Sequence, residues 1–343
     1  VIFSLIHYYL VVRFRQIIPY SNFVKNIISF LILVFFIILL VGRFTGNSDF
    51  INLHIVLSWI GYIWLALALY FLFTFVFIDL IRLFDVFFHF LPEKNSIAFN
   101  KLKLYAFYSI IVINISLIVF GYVNSYKIRK TEYFISTDKN LLSNKNDFNI
   151  LAISDIHLGS IVAGNKLNKI KYLCNEIKPD IVLFIGDILD EAMSPIITKN
   201  IGRPLSEINA PYGVYAVLGN HEYFGGQKKV IDYIENKLGI KLLIDSFIRI
   251  DNIIIIGRND LHSKRFNGIN SKSIKQIIDS TDSKHFFIVL DHQPKRFNEA
   301  LKCNMDLQIS GHTHDGQFWP FSLLVRKIYE VSHGILKKNN SYL

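Results

Sequence analysis

Residues 149–159 read NILAISDIHLG and residues 307–317 read LQISGHTHDGQ. Each is a short apolar run that passes directly into Asp and His. Alternate residues of a strand share a side. Asp155 and His157 are therefore expected to face one place, and so are His312 and His314 if their turn stays extended. Three further apolar runs end in the same manner. Gly186-Asp187 follows 181–185, Gly219-Asn220-His221-Glu222 follows 214–218, and Asp291-His292-Gln293-Pro294 follows 286–290.

Working outward, strands are predicted at 148–154, 181–185, 214–218, 253–256, 286–290 and 307–310. Helices are predicted between them at 166–177, 228–238, 271–280 and 294–301. That alternation argues for a layered α/β domain. In such sheets the residues just past the carboxyl ends of the strands build the active site. Taken singly, each signature has a plain explanation: Gly-Asp is usually a turn, and a lone His is usually a hydrogen-bonded or surface residue. Five signatures at five strand ends, holding five of the 11 His, make coincidence a poor account.

Asp155, Asp187, Asn220, His157, His292, His312 and His314 offer carboxylate, amide oxygen and imidazole, with no thiolate. Such donors suit Mn, Fe, Zn or Co better than soft metals. Seven ligands are too many for one tetrahedral ion and fit two ions sharing a carboxylate. Neither a Gly-x-Ser-x-Gly nucleophile elbow nor a phosphate-cradling G-x-x-x-x-G-K-[ST] loop is present.

The order D-x-H, GD, GNH[DE], H, GH-x-H resembles that of calcineurin-like metallophosphoesterases, over residues 149–317. ISDIHLG, GNHE, LDHQP and GHTHDGQ look like the bacterial membrane-associated branch of that family. The resemblance implies a four-layer α/β/β/α sandwich and two divalent metal ions. Asp155, His157 and His314 would hold the first ion, Asn220, His292 and His312 the second, and Asp187 would bridge them. It implies hydrolysis of a phosphate ester by a metal-bound hydroxide. His221 would act as a non-ligand catalytic residue that protonates the leaving oxygen or stabilises the transition state. Glu222 either orients His221 or caps a helix start, and the cap is favoured. Asp315 stands where the family often has Gly. A pyrophosphatase or phosphodiesterase acting on a lipid- or nucleotide-linked substrate is the nearest alternative. A non-catalytic membrane scaffold would be expected to lack ligands, and all seven are present. A transporter would be expected to carry ionisable residues within its spans, which hold only Lys25 and His54.

The first part of the chain has another character. Of 343 residues, 52% are apolar, 30 are Phe and only 19% are charged. Intrinsic disorder is thereby excluded, and two cysteines, Cys174 and Cys303, cannot form a disulfide scaffold. A membrane span takes about 20 apolar residues. Residues 21–42, 50–78 and 104–126 meet or approach that, and residues 1–12 read as a span cut short. Domains are thus expected at 1–126 (an α-helical transmembrane bundle), 127–148 (a linker with a first strand) and 149–343 (the metallophosphoesterase domain). The polar run 137–147 is expected to be the most flexible part of the linker. After residue 78, Asp79, Arg82, Asp85 and His89 recur at helical spacing. That pattern suggests an amphipathic helix on the membrane surface, ended by Pro92, or a helix docked on its neighbours. A chain that opens on Val and stops in mid-pattern, before the family's usual last strand, is expected to be a fragment.

Residues 1–130 hold 11 Lys+Arg and 4 Asp+Glu, a net of +7, and the remainder holds 26 and 23, a net of +3. The basic excess is juxtamembrane, so no nucleic-acid binding is expected. Lys and Arg in alternate loops pool to 7 against 4, which favours an extracytoplasmic catalytic domain. The expected partners are the lipid bilayer of a bacterial cell membrane and a phosphate ester, with lipid-linked esters among the candidates.

Overall fold

The apolar runs of the first 128 residues form four helices: α1 (Ile2–Ile17), α2 (Asn22–Phe44), α3 (Ile51–Phe88) and α4 (Ile97–Ser125). The structure is a computed structural model that describes residues 1–46, 50–145, 147–162, 164–278 and 284–343. It divides into two compact units, Val1–Ile128 and Arg129–Leu343. Three of the helices, α2, α3 and α4, are long and apolar enough to cross a membrane. Leu10, Phe14, Ile32, Trp64, Phe71 and Phe107 are among the residues that pack the core of this unit. Gly61 lets α3 approach α2 closely, since a Cβ there would lie 2.9 Å from Leu39 Cα. The buried Trp64 indole donates to His7 Nε2 at 2.9 Å, so this polar group is not stranded.

The surface helix expected after residue 78 is not a separate element. α3 runs unbroken for 38 residues, about 57 Å at 1.5 Å per residue, roughly twice the hydrocarbon thickness. The polar residues of its end serve the bundle. Asp79 pairs with Arg13 at 2.6 Å and accepts the Tyr9 hydroxyl at 2.6 Å. Docking on α1 is thus the better of the two readings. α3 stops at Phe88 through a left-handed His89, before Pro92 is reached.

The second unit alternates as expected. Its elements run β1 (Ile150–Ile153), α5 (Asn165–Ile177), β2 (Ile181–Ile185), α6 (Met193–Thr198), α7 (Arg203–Ser206), β3 (Val214–Val217), α8 (Asn220–Phe224), α9 (Gln227–Asp232), β4 (Lys241–Leu242), β5 (Ser246–Ile250) and β6 (Ile253–Gly257). They continue with α10 (Ser263–Asn267), α11 (Ile274–Ile277), β7 (Phe286–Leu290), α12 (Phe297–Lys302), β8 (Leu307–Ile309), α13 (Phe321–Ile328), β9 (Lys337–Lys338) and β10 (Ser341–Tyr342). One sheet has the order β1-β2-β3-β4 and the other β5-β6-β7-β8-β10-β9. The first is wholly parallel, with Ile150 opposite Ile181 and Val182 opposite Val214. β6, β7 and β8 are parallel in the second.

The sheets pack face to face. Ile181, Leu183 and Ile185 of β2 share a core with Ile253, Ile255, Ile288 and Leu290 of β6 and β7. The opposite face of the second sheet, with Ile254, Phe287 and Val289, packs on Ile274, Phe297 and Ala300 of the flanking helices. The layering is α/β/β/α, with α5 as the crossover between parallel β1 and β2.

Two expectations fail in residues 127–148. Among the described residues there is no strand. The described residues of the polar run are also tied to the domain. Lys139 pairs with Asp306 at 2.6 Å, Lys145 pairs with Asp180 at 2.7 Å, and Leu142 is buried in the inter-sheet core. The Lys139 and Lys145 ammonium groups find carboxylate partners on the domain. The short strands β4, β5, β9 and β10, and the helices α6, α7, α10 and α13, have no counterpart in the expected pattern. The expected helix at 271–280 shrinks to Ile274–Ile277, and its last two residues lie outside the described residues.

Candidate metal centre

The carboxyl ends of β1, β2, β3, β7 and β8, from both sheets, converge on one place. Asp155 and His157 follow β1, Asp187 follows β2, and Asn220 opens α8 directly after β3. His292 follows β7, while His312 and His314 follow β8. Three groups of side chains bring one ligand atom each to within 4.8 Å of the others: Asp155, His157 and His314; Asp187, His292 and His312; and His157, Asp187 and His221. Asn220 Oδ1 is buried without a hydrogen-bond partner.

The residues do not reach the site by strand alternation. β1 ends at Ile153, and five of the seven candidate ligands have left-handed backbones: Asp155 (φ 55°), His157 (48°), Asp187 (48°), His312 (73°) and His314 (48°). The turn after β8 is not extended, since His314–Gly316 is a single 3-10 turn. Each such backbone costs on the order of 1 kcal/mol and persists only where its surroundings enforce it. Loop-to-loop bonds do so here. The His157 N–H donates to the Asp187 carbonyl at 2.9 Å, and the His312 N–H donates to the Asp155 carboxylate at 3.0 Å.

Two glycines permit this close approach. A Cβ at Gly311 would lie 1.9 Å from Ser154 Oγ and 2.4 Å from Asp155 Oδ2, and one at Gly219 would lie 2.2 Å from Asp187 Oδ1.

Asp187 lies at the centre. It is 2% exposed. Its Oδ1 accepts the His221 N–H at 2.9 Å, while its Oδ2 faces His292 Nε2 at 3.2 Å and His157 Nε2 at 3.8 Å. His314 Nε2 lies 3.2 Å from Asp155 Oδ1 and 3.2 Å from His157 Nε2. The donor set fits divalent cations on a specific observation. His292 Nδ1 donates to the Ile185 carbonyl at 2.7 Å, which fixes the ring and turns Nε2 inward, where that buried atom has no hydrogen-bond partner. This is the arrangement that orients a metal-binding imidazole. Burial works to lower His292, but Asp187 more than offsets it and raises the ring to about 10. Burial works to raise Asp187, and its contact with His292 outweighs that and holds the carboxyl low. The proton on His292 thus answers the Asp187 carboxylate, and a cation held there would take that proton's place.

The remaining imidazoles sort by environment. Burial, then His292, pushes His312 down to about 4, and burial lowers His157. Both rings are therefore neutral near pH 7, the form that ligates. His221 moves the other way. Burial would lower it, but Asp190 and Asp187 prevail and raise it.

Two residues do more than the sequence indicated. Asp190 Oδ1 lies 3.5 Å from His221 Nδ1, so Asp190, and not Glu222, is the carboxylate that faces the His221 ring. Nothing in the sequence marked it apart from its place three residues after Asp187. Glu222 does cap its helix start, accepting the Gly219 N–H at 2.7 Å, and it also accepts the N–H groups of Asp187 and Leu189 at 2.9 and 3.0 Å. Asp315 turns away from the ligands to Arg326 at 2.7 Å and Ser332 at 2.7 Å.

Comparison with known proteins agrees with this geometry. The calcineurin-like phosphoesterase domain matches residues 148–316. An uncharacterized metallophosphoesterase of Aquifex aeolicus is 32% identical over 63% of this chain and 81% of its own length. One of Campylobacter jejuni is 32% identical over 71% of this chain and 64% of its own. A transmembrane protein with metallophosphoesterase domain from Danio rerio is 28% identical over 62% of this chain and 51% of its own. The similarity and the convergence of loops from both sheets lead to one conclusion: the chain belongs to the calcineurin-like phosphoesterase family.

Proposed function

We propose that this protein is a membrane-anchored phosphoester hydrolase that works with two divalent cations. The observation that carries the proposal is the pair of ligand groups, Asp155/His157/His314 and Asp187/His292/His312, each within 4.8 Å, with the Asp187 carboxylate facing both His157 and His292. Asn220, whose buried Oδ1 lacks a partner, completes the second group. When bound, the cations supply neutralisation of phosphate charge and activation of water; Mn, Fe, Zn and Co all suit these donors.

The chain's own residues do the rest. In the net reaction water's oxygen joins phosphorus, the bond from phosphorus to the ester oxygen breaks, and that oxygen leaves as an alcohol carrying a proton. His221 is suited to deliver that proton, because Asp190 and Asp187 favour its charged form. The left-handed loops hold the ligands in place before substrate arrives, which matters because phosphoryl transfer is mostly positioning and electrostatics.

Three membrane-length helices support anchoring in a bilayer, and relatives from Aquifex aeolicus and Campylobacter jejuni support a bacterial membrane. The 7-to-4 distribution of Lys and Arg among the loops supports a catalytic domain outside the cytoplasm.

The test is phosphate release from nitrophenyl phosphate and bis-nitrophenyl phosphate by the purified full-length chain, metal-stripped and then reloaded with each of the four metals. Release with at least one metal is expected. None with any of them would overturn the proposal.

A further inference from the structure

α13 follows the last ligand loop and is unusual within its domain. Of its eight residues Phe321, Leu323, Leu324, Val325 and Ile328 are apolar, yet none of the eight is buried. Leu323, Leu324 and Ile328 are 55%, 56% and 72% exposed, and Trp319 just before the helix is 70% exposed. Leu324 and Ile328 stand one turn apart on the same face, with Lys327 beside them. Residues 315–343 hold four Lys+Arg (326, 327, 337, 338) and two acids (315, 330), a net of +2. Arg326 is paired with Asp315 and Lys338 with Glu330, so Lys327 is the cation beside that face.

This segment is tied to the metal-site loop. Arg326 grips Asp315, the neighbour of His314, at 2.7 Å, and Thr313 Oγ1 donates to the Ser332 carbonyl at 2.6 Å. The Tyr329 ring lies 6.4 Å from the His312 ring.

We propose that Trp319 and α13 form a membrane-docking lip beside the metal-site residues, so that the site takes a phosphate ester carried by a bilayer lipid. The occupant follows from chemistry. An exposed Trp with Leu and Ile on one helix face, beside a Lys whose stem can lie along apolar surface, is the composition that settles at a lipid–water interface. Lys327, beside that face, complements anionic headgroups. The chain also carries membrane-length helices, and only residues 126–149 lie between α4 and β1. The lip shortens the path of a headgroup phosphate to the ligand loops. There water's oxygen joins phosphorus, the bond from phosphorus to the lipid's oxygen breaks, and that oxygen takes a proton. The substrate part rests on the hydrolase reading above, while the docking part does not.

The experiment uses the full-length chain in nanodiscs of phosphatidylethanolamine and phosphatidylglycerol, 3:1. A Leu324→Cys variant carries a polarity-sensitive fluorophore; the native Cys174 and Cys303 are buried. Spin-labelled lipid should quench this probe several-fold more than the same probe at Tyr172→Cys, an exposed position on α5. Equal quenching, or a signal that follows protein concentration and not lipid, would overturn docking on lipid; the latter would assign the face to a second copy. In the second arm, L324D/I328D should raise KM about tenfold or more for phosphatidic acid in the discs and leave turnover of soluble nitrophenyl phosphate unchanged. Parallel effects on both substrates, or no effect on either, would overturn the lipid substrate. A wild-type chain inactive on both would end the hydrolase reading and the lipid substrate with it, while the quenching still decides the lip.

Discussion

Glu222 accepts the backbone N–H of Asp187 at 2.9 Å across 35 residues of chain, in a position with no solvent exposure. The same carboxylate accepts the N–H groups of Gly219 and Leu189. One side chain thus locks the loop that carries Asp187 to the loop that carries Asn220 and His221. Glu222→Ala leaves three buried donors unpaired, at about 1–3 kcal/mol each. A fall in melting temperature together with reduced metal content is expected. An unchanged melting temperature would contradict the clamp.

The protonation of Glu222 gives a pH prediction. Burial, then the charge of Asp187, raises its carboxyl to about 7 from an ordinary 4.5. A carboxyl raised in the folded state contributes stability below its unfolded pKa and loses it as pH rises through the folded value. Gln imitates the protonated form and does not titrate. In metal-stripped protein, the melting temperature of the wild type relative to Glu222→Gln should therefore fall between pH 5 and pH 8. A difference independent of pH would refute it.

Asp187→Asn removes the carboxylate that faces both ligand groups. Metal analysis should show loss of bound ion and the hydrolysis assay loss of activity, with circular dichroism unchanged. Two full equivalents with normal turnover would sink the shared-carboxylate model.

His221→Ala should retain both metals and lose roughly 10²–10⁴ in rate on an alkyl phosphate, the usual size of a general-acid contribution. Nitrophenyl phosphate needs little protonation of its leaving group and should lose less. Asp190→Asn should act in the same direction and by less, since Asp190 faces the ring and favours its charged form without touching the reacting atoms. Equal losses on both substrates would count against proton donation.

Gly311→Ala tests how closely the loops meet. Its Cβ would lie 1.9 Å from Ser154 Oγ and 2.4 Å from Asp155 Oδ2, so the Asp155 loop must move. Metal content should fall although no ligand is altered. Two equivalents retained in the variant would show that the loops yield easily.

Much of this architecture was legible in the sequence, because its strongest signals are periodic or chemical. Strands such as Ile181–Ile185 and Phe286–Leu290 are buried on both faces and so read as continuous apolar runs. The polar residues at their ends stood out against those runs. Other features depend on tertiary partners that no local pattern encodes. Lys139 and Lys145 look like a solvated linker until Asp306 and Asp180 are in view. The left-handed backbones of Asp155 and His157 replace strand alternation because contacts from the Asp187 loop hold them there. Asp190 became legible only when the fold set it beside His221.

The central claim is that two cations serve one site, and a single titration tests it most directly. Metal-stripped full-length protein is titrated with Mn²⁺ while phosphate release from nitrophenyl phosphate is recorded against bound metal. The account predicts negligible release at one equivalent and full activity as the second binds. Full activity at one equivalent, or none at two, would contradict it.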